Sequence, residues 1–291
     1  MAQLVDGSAH DATPLERSLL DLARATQIAP AGLTPTHLEP LRDLVGDDAL
    51  DYVLVIGAFH FINRIADLLH VDPEALPAPL RRIEPVRRLG VRVASLLLGR
   101  MDLANRDYEP TYDAAVAAIA PVLPAGMAGA AAEALAPLRP RPKLVEILRL
   151  AVEERDQRSS LDRSTITRVQ ATVERALPRG IDESEGFHPR PPDPVEAFAF
   201  VGTRYARRTT AAMIEALRAA GYDDLAILDL AIAVADANQW ARLSRMLGLA
   251  PALFYLDGTA HQTVVRRVAG EHGAVHGTTD ASSIGSPETV R

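Results

Sequence analysis

The feature that most constrains this chain is a long helical-period segment that occurs twice. Residues 51–71 read DYVLVIGAFHFINRIADLLHV and residues 229–249 read DLAIAVADANQWARLSRMLGL, and the two superpose without a gap at an offset of 178. Asp51 falls on Asp229, His60 on Asn238, Arg64 on Arg242 and Leu68-Leu69 on Met246-Leu247. Upstream, Leu41-Arg42 corresponds to Leu217-Arg218, with a connection two residues shorter in the first copy. The economical architecture is a pseudo-symmetric pair of helical units. The alternative is that two amphipathic helices resemble one another through their shared period alone. Alanine is abundant, aromatics make up only 4% of the chain, and runs of Val, Ile, Thr or Tyr are few. That composition favours closely packed helices over strands, so the fold class expected is all-α.

Helix signals recur along the rest of the sequence. Residues 14–27 place apolar side chains at helical spacing, and Thr34-Pro35 offers an N-cap followed by proline in the first turn. Asp47 and Asp48 open the helix that contains residues 51–70, and Asp72-Pro73 would terminate it. Residues 84–98, 112–122, 143–155 and 164–177 also read as helices, the last with Ser164 as cap, and residues 128–138 are an alanine-rich stretch between prolines. Residues 178–194, PRGIDESEGFHPRPPDP, form a Pro/Gly-rich linker. Beyond it, two long helices are expected over 195–220 and 224–247, with Gly221 and Asp223 as the caps between them. The implied organisation is a leader at 1–12, a first helical domain with extra helices at 13–177, the linker at 178–194, a second, divergent unit at 195–271 and a polar tail at 272–291.

Residues 213–249, and equally 38–71, resemble the C-terminal helices of the alkylhydroperoxidase D-like (AhpD-like) and carboxymuconolactone decarboxylase family, especially its peroxidase-related branch. The resemblance is carried by LRAAGYDDLAILD in the second copy and FHFINRIADLLHV in the first, and residues 14–27 look like the helix that precedes this unit. It covers about 120 of the 291 residues. It implies an all-helical fold and homo-oligomeric assembly, and in thiol-active members a Cys-x-x-Cys pair served by a nearby Glu and His. Here the chain departs decisively from the family, because it contains no cysteine. Disulfides, thiolate nucleophiles, zinc–cysteine sites and cysteine-ligated clusters are therefore excluded, and thiol peroxidase activity does not transfer. The decarboxylase branch works by acid–base chemistry and needs no thiol, so only its reaction class is borrowed.

Candidate chemistry concentrates on the first repeated helix. His60, Asn63, Arg64 and Asp67 stand at i, i+3, i+4 and i+7 and share one face. In the functional reading His60 is a general base, Arg64 holds an anionic group, and Asn63 and Asp67 orient them. In the structural reading Arg64 and Asp67 pair on the helix surface while His60 is hydrogen-bonded between helices. The second copy keeps Asn238, Arg242 and Arg245 without a histidine, which suits a structural or ligand-positioning role. Arg204 and Arg208, one turn apart beside Tyr205, are candidates to grip a carboxylate or phosphate, or else to salt-bridge the acidic surface. Trp240 is expected in the core or an interface.

No cofactor is expected. His261, His272 and His276 lack a completing carboxylate, so no metal site is expected either. The motifs GxxxxGK[ST], GxGxxG and GxSxG do not occur, which leaves nucleotide-dependent and serine-hydrolase chemistry unsupported. A formal charge of −7 argues against nucleic-acid partners, although residues 81–106 are locally rich in arginine, read as a solvated face or subunit contact. With no signal-like leader and no uninterrupted apolar run of about twenty residues, a cytoplasmic protein without membrane partners is expected. The functional expectation is a cysteine-free enzyme performing cofactor-independent acid–base or oxygen-utilising chemistry on a small anionic organic molecule. The alternative is a non-catalytic ligand-binding or oligomeric scaffold of the same fold.

Overall fold

The computed structural model describes residues 12–70, 110–123, 127–180, 190–250 and 253, and among these the regular structure is helical throughout. The all-α expectation holds. The expected helix at 84–98, the arginine-rich run at 81–106, the stop at Asp72-Pro73 and the histidines at 261, 272 and 276 lie outside the described residues.

Helix α1 (Pro14–Ile28) begins with a capping box in which Thr13 Oγ1 accepts from the Glu16 amide at 3.2 Å while Glu16 Oε2 accepts from the Thr13 amide at 2.8 Å. After a 3-10 turn over Pro35–Leu38 come α2 (Glu39–Val45), a reversal at Gly46 with φ of +61°, and the 20-residue α3 (Ala49–Leu68). Helix α4 (Tyr112–Ile119) is capped by Thr111. The alanine-rich stretch over 128–138 forms a 3-10 turn, the four-residue α5 (Ala131–Ala134) and a second 3-10 turn. Alanine propensity alone does not carry a helix across Pro137, which lacks the amide that the ladder needs.

Helix α6 (Pro142–Arg158) precedes α7 (Arg163–Ala176). The cap of α7 is Asp162, whose Oδ1 accepts from the Thr165 amide at 2.7 Å and from Ser164 Oγ at 2.7 Å; Ser164 itself is inside the helix. The single helix read over 195–220 is divided into α8 (Pro194–Arg204), a 3-10 turn over Ala206–Arg208, and α9 (Ala211–Ala219). The break lies at Tyr205, whose backbone leaves the helical region, and the β-branched pair Thr209-Thr210 prolongs it. Gly221, at φ of +95°, then turns the chain into α10 (Asp224–Leu247), where Asp223 accepts from the Ala226 amide at 2.8 Å.

Helices α3 and α10 form the centre and run antiparallel: Gly57 faces Leu243, whereas Leu68 and Val234 meet over Gly202 of α8. At both glycines an added side chain would crowd a neighbouring one. A Cβ at Gly57 would sit 2.9 Å from Leu243 Cδ1, and one at Gly202 would sit 2.8 Å from Val234 Cγ1. Two apolar clusters flank this pair. One joins Leu22, Leu41, Leu50 and Val53 to α4, α6 and the second half of α10 (Trp240, Leu243, Met246). The other joins Leu68 to α7, α8, α9 and the stretch of α10 from Ile227 to Ala241. Trp240 is core, with its indole N–H donating to Asp236 Oδ1 at 2.8 Å.

The helical stretch Pro35–Leu68 is long and apolar enough to cross a membrane by length and composition. Core helices meet the same criterion, and α3 buries Leu50, Val53, Gly57, Ala66 and Leu68. Its opposite face leaves Val55, Phe59 and Ile62 exposed.

Candidate functional site

Between the two clusters α3 and α10 bring polar side chains together with the C-terminal ends of α1 and α8. His60 is half-buried, and its Nε2 lies 2.8 Å from Thr26 Oγ1. The Thr26 hydroxyl has one proton and gives it to the Ala23 carbonyl at 2.7 Å. It therefore accepts from His60, which fixes the imidazole as the Nε2–H tautomer and leaves Nδ1 as a lone pair. Burial first, then the guanidiniums of Arg242 and Arg64, push the His60 pKa from 6.5 down to about 3. The ring is neutral at physiological pH.

The two arginines cap two helices. Arg242, 2% exposed, donates from Nε to the Thr26 carbonyl at 2.9 Å, and from Nη1 to Asn238 O at 2.8 Å and Asn238 Oδ1 at 2.9 Å. Arg64 donates from Nη1 to the Gly202 carbonyl and to Thr203 O at 3.0 Å. Thr26 and Gly202 each stand two residues before the end of their helix, where carbonyls lack an intrahelical donor. Each arginine therefore crosses to the helix that opens the other half of the chain, where the negative end of the dipole favours a cation. Asn238 completes the belt, donating from Nδ2 to Thr203 Oγ1 at 3.0 Å and to the Val234 carbonyl at 2.8 Å.

This belt is electropositive. Burial lowers the Arg64 pKa to about 10, against the opposing pull of Asp67. Arg242 is lowered well below its ordinary value by burial and by the charges of Arg64 and Arg245, with Glu174 opposing. Yet neither carboxylate bonds to these guanidiniums. Asp67 accepts from Arg207 Nε at 2.9 Å, and Glu174 makes a two-pronged pair with Arg245 at 2.5 and 3.2 Å. Arg64 Nε is buried and has no hydrogen-bond partner, a donor still to be satisfied.

Of the residues singled out from sequence, His60, Arg64, Asn238 and Arg242 converge. Asn63 is exposed on the outer side of α3, and Asp67 sits at the rim with Arg207. The break after Arg204 dissolves the expected one-turn pairing with Arg208. Arg204 donates to the Ala176 carbonyl at 3.1 Å and lies 5.9 Å over the Phe200 ring, whereas Arg208 lies 5.0 Å over the Tyr205 ring. Thr26 and Thr203 were not legible as site residues. The only signal was a threonine near the end of each helix, a position from which the hydroxyl bonds back to the preceding turn. Among the described residues no group of three or more His, Asp or Glu side chains could hold a metal ion. Comparison with family models, with curated proteins and with solved structures finds no match to this chain.

Proposed function

We propose that this chain is a cysteine-free, duplicated helical protein of the AhpD-like type that binds a small anionic organic molecule beside His60, Arg64 and Arg242. One observation carries the reading: the buried guanidinium of Arg242 and the half-buried one of Arg64 flank a neutral imidazole, and both nearby carboxylates are committed to other arginines. Buried cations without a counter-ion are costly, and a bound anion relieves that cost. The duplication is supported by the reciprocal capping, in which Arg64 and Arg242, equivalent under the offset of 178, each cross to the first helix of the other half. The capping motifs of those first helices also match, Thr13-Pro14 with Glu16 in α1 and Asp193-Pro194 with Glu196 in α8.

Calorimetric titration of the full-length protein with small carboxylates tests this. Saturable binding that Arg64→Gln removes supports it, and no binding by any of them refutes it. The resemblance also carries homo-oligomeric assembly, which molar mass from light scattering tests.

A second reading, in which the bound molecule is also turned over, is favoured by the His60 Nδ1 lone pair. An anion placed beside it offsets the two arginines and lifts the imidazole pKa toward the range where it accepts protons well. That reading requires His60→Gln to abolish turnover of the bound carboxylate while the fold persists. It also requires the absence of thiol-type peroxide reduction, so robust activity with peroxide would overturn it.

A further inference from the structure

We infer that the Nε/Nη2 edge of Arg64 and Nδ1 of His60 together receive one small hydroxycarboxylate monoanion, its carboxylate on the guanidinium edge and its hydroxyl donating to the imidazole. This deepens, and rests on, the anion-binding reading above. Nη1 of Arg64 is held by the carbonyls of Gly202 and Thr203, which turns the remaining edge of the planar group away from α8. That edge is the two-pronged face that fits a carboxylate, and its Nε is buried without a partner.

His60 supplies the complementary demand. Its Nε2–H is given to Thr26, so the other nitrogen can only accept, and a ligand satisfies it only by bringing a donor. Residues 60 and 64 are one helical turn apart, with about 5–6 Å between Cβ atoms, which brings both side chains within reach of one small ligand.

Charge selects a monoanion. His60 bonds the Thr26 hydroxyl of α1 and feels the charges of Arg242 from α10 and Arg64 from its own helix, and these guanidiniums in turn bond the Thr26 carbonyl at the end of α1 and the Gly202 and Thr203 carbonyls at the end of α8. Two guanidiniums set against two helix C-termini, each equivalent to about half a negative charge, leave roughly one positive charge. One carboxylate balances it, and a second would be buried unpaired.

The test is titration of the full-length protein near neutral pH, at constant ionic strength, with sodium lactate, propionate and malonate. Lactate is expected to bind about tenfold tighter than propionate, the difference of one hydrogen bond, and malonate more weakly than propionate. Arg64→Gln is expected to lose lactate and propionate alike, and His60→Leu to bring lactate down to propionate. Equal affinity of the unaltered protein for lactate and propionate, or tighter binding of malonate, overturns the assignment and leaves the anion reading standing. No binding of any of the three overturns both. Because the lactate–propionate comparison uses the unaltered protein, it decides even where a variant does not fold.

Discussion

Lowering the pH should destabilise this protein through His60, by an amount that the structure sets. In the unfolded chain the imidazole titrates at its ordinary pKa of 6.5, whereas in the folded protein burial and the two arginines hold it near 3. Between those values the unfolded state binds a proton that the folded state refuses, so stability rises with pH there. The His60 contribution is complete above pH 6.5 and is lost progressively as the pH falls toward 3. Each pH unit in that window costs about 1.4 kcal/mol, so acidification from 6.5 to 4.5 removes about 2–3 kcal/mol. That is a large share of the 5–15 kcal/mol typical of a folded domain. Urea unfolding of the unaltered protein and of His60→Gln across pH 4.5–7.5 isolates the term, since the other titrating groups are common to both. The stability difference between them should shrink by that amount on acidification. Parallel stability curves, or a His60 ring that titrates above pH 5 by NMR in the folded protein, would refute the reasoning.

Gly202→Ala should destabilise by about 1–2 kcal/mol in chemical denaturation: alanine gains about 1 kcal/mol in helix propensity, but its Cβ meets Val234 and Leu68 at 2.8 and 2.9 Å, and overpacking that close costs about 2–3 kcal/mol. An unchanged or raised midpoint would show that α8 yields freely. Arg242→Ala should cost about 3–5 kcal/mol, because three hydrogen bonds go and the Thr26 carbonyl is left bare. Arg242→Met fills the space and removes a repulsion with Arg64, so it should cost less than half as much and raise the His60 pKa, readable by NMR. Thr26→Val keeps the volume but leaves the imidazole N–H unpaired, for an expected loss of about 1–3 kcal/mol in the same denaturation assay.

Much of the architecture was legible because the signals were local. The apolar period of residues 229–247, the aspartate at 223 and the Gly221 turn mark α10 at both ends, and the proline-led caps mark α1 and α8. The misreadings arose where local and longer-range preferences conflict. Residues 195–220 carry a continuous helical period, yet Tyr205 leaves the helix and stacks its ring under Arg208, with its edge toward Phe200. Ser164 is a good cap by residue type, but Asp162 two residues earlier is a better acceptor and takes the position. The site was half legible for the same reason. His60 and Arg64 share a face because a helix dictates it, whereas the partners of Arg64 and Arg242 are main-chain carbonyls some 140 and 216 positions away. Nothing in the identity of Gly202 or Thr26 announces that role, since any residue there presents the same oxygen.

Helix α10, with 24 residues and a length of about 36 Å, contributes residues from Ile227 to Ala241 to one apolar cluster and residues from Trp240 to Leu247 to the other. It acts as a keel that both flanks of the hull are fastened to. Loosening either flank strips the rod of half its lateral support, so heat or denaturant meets a single breaking point instead of two.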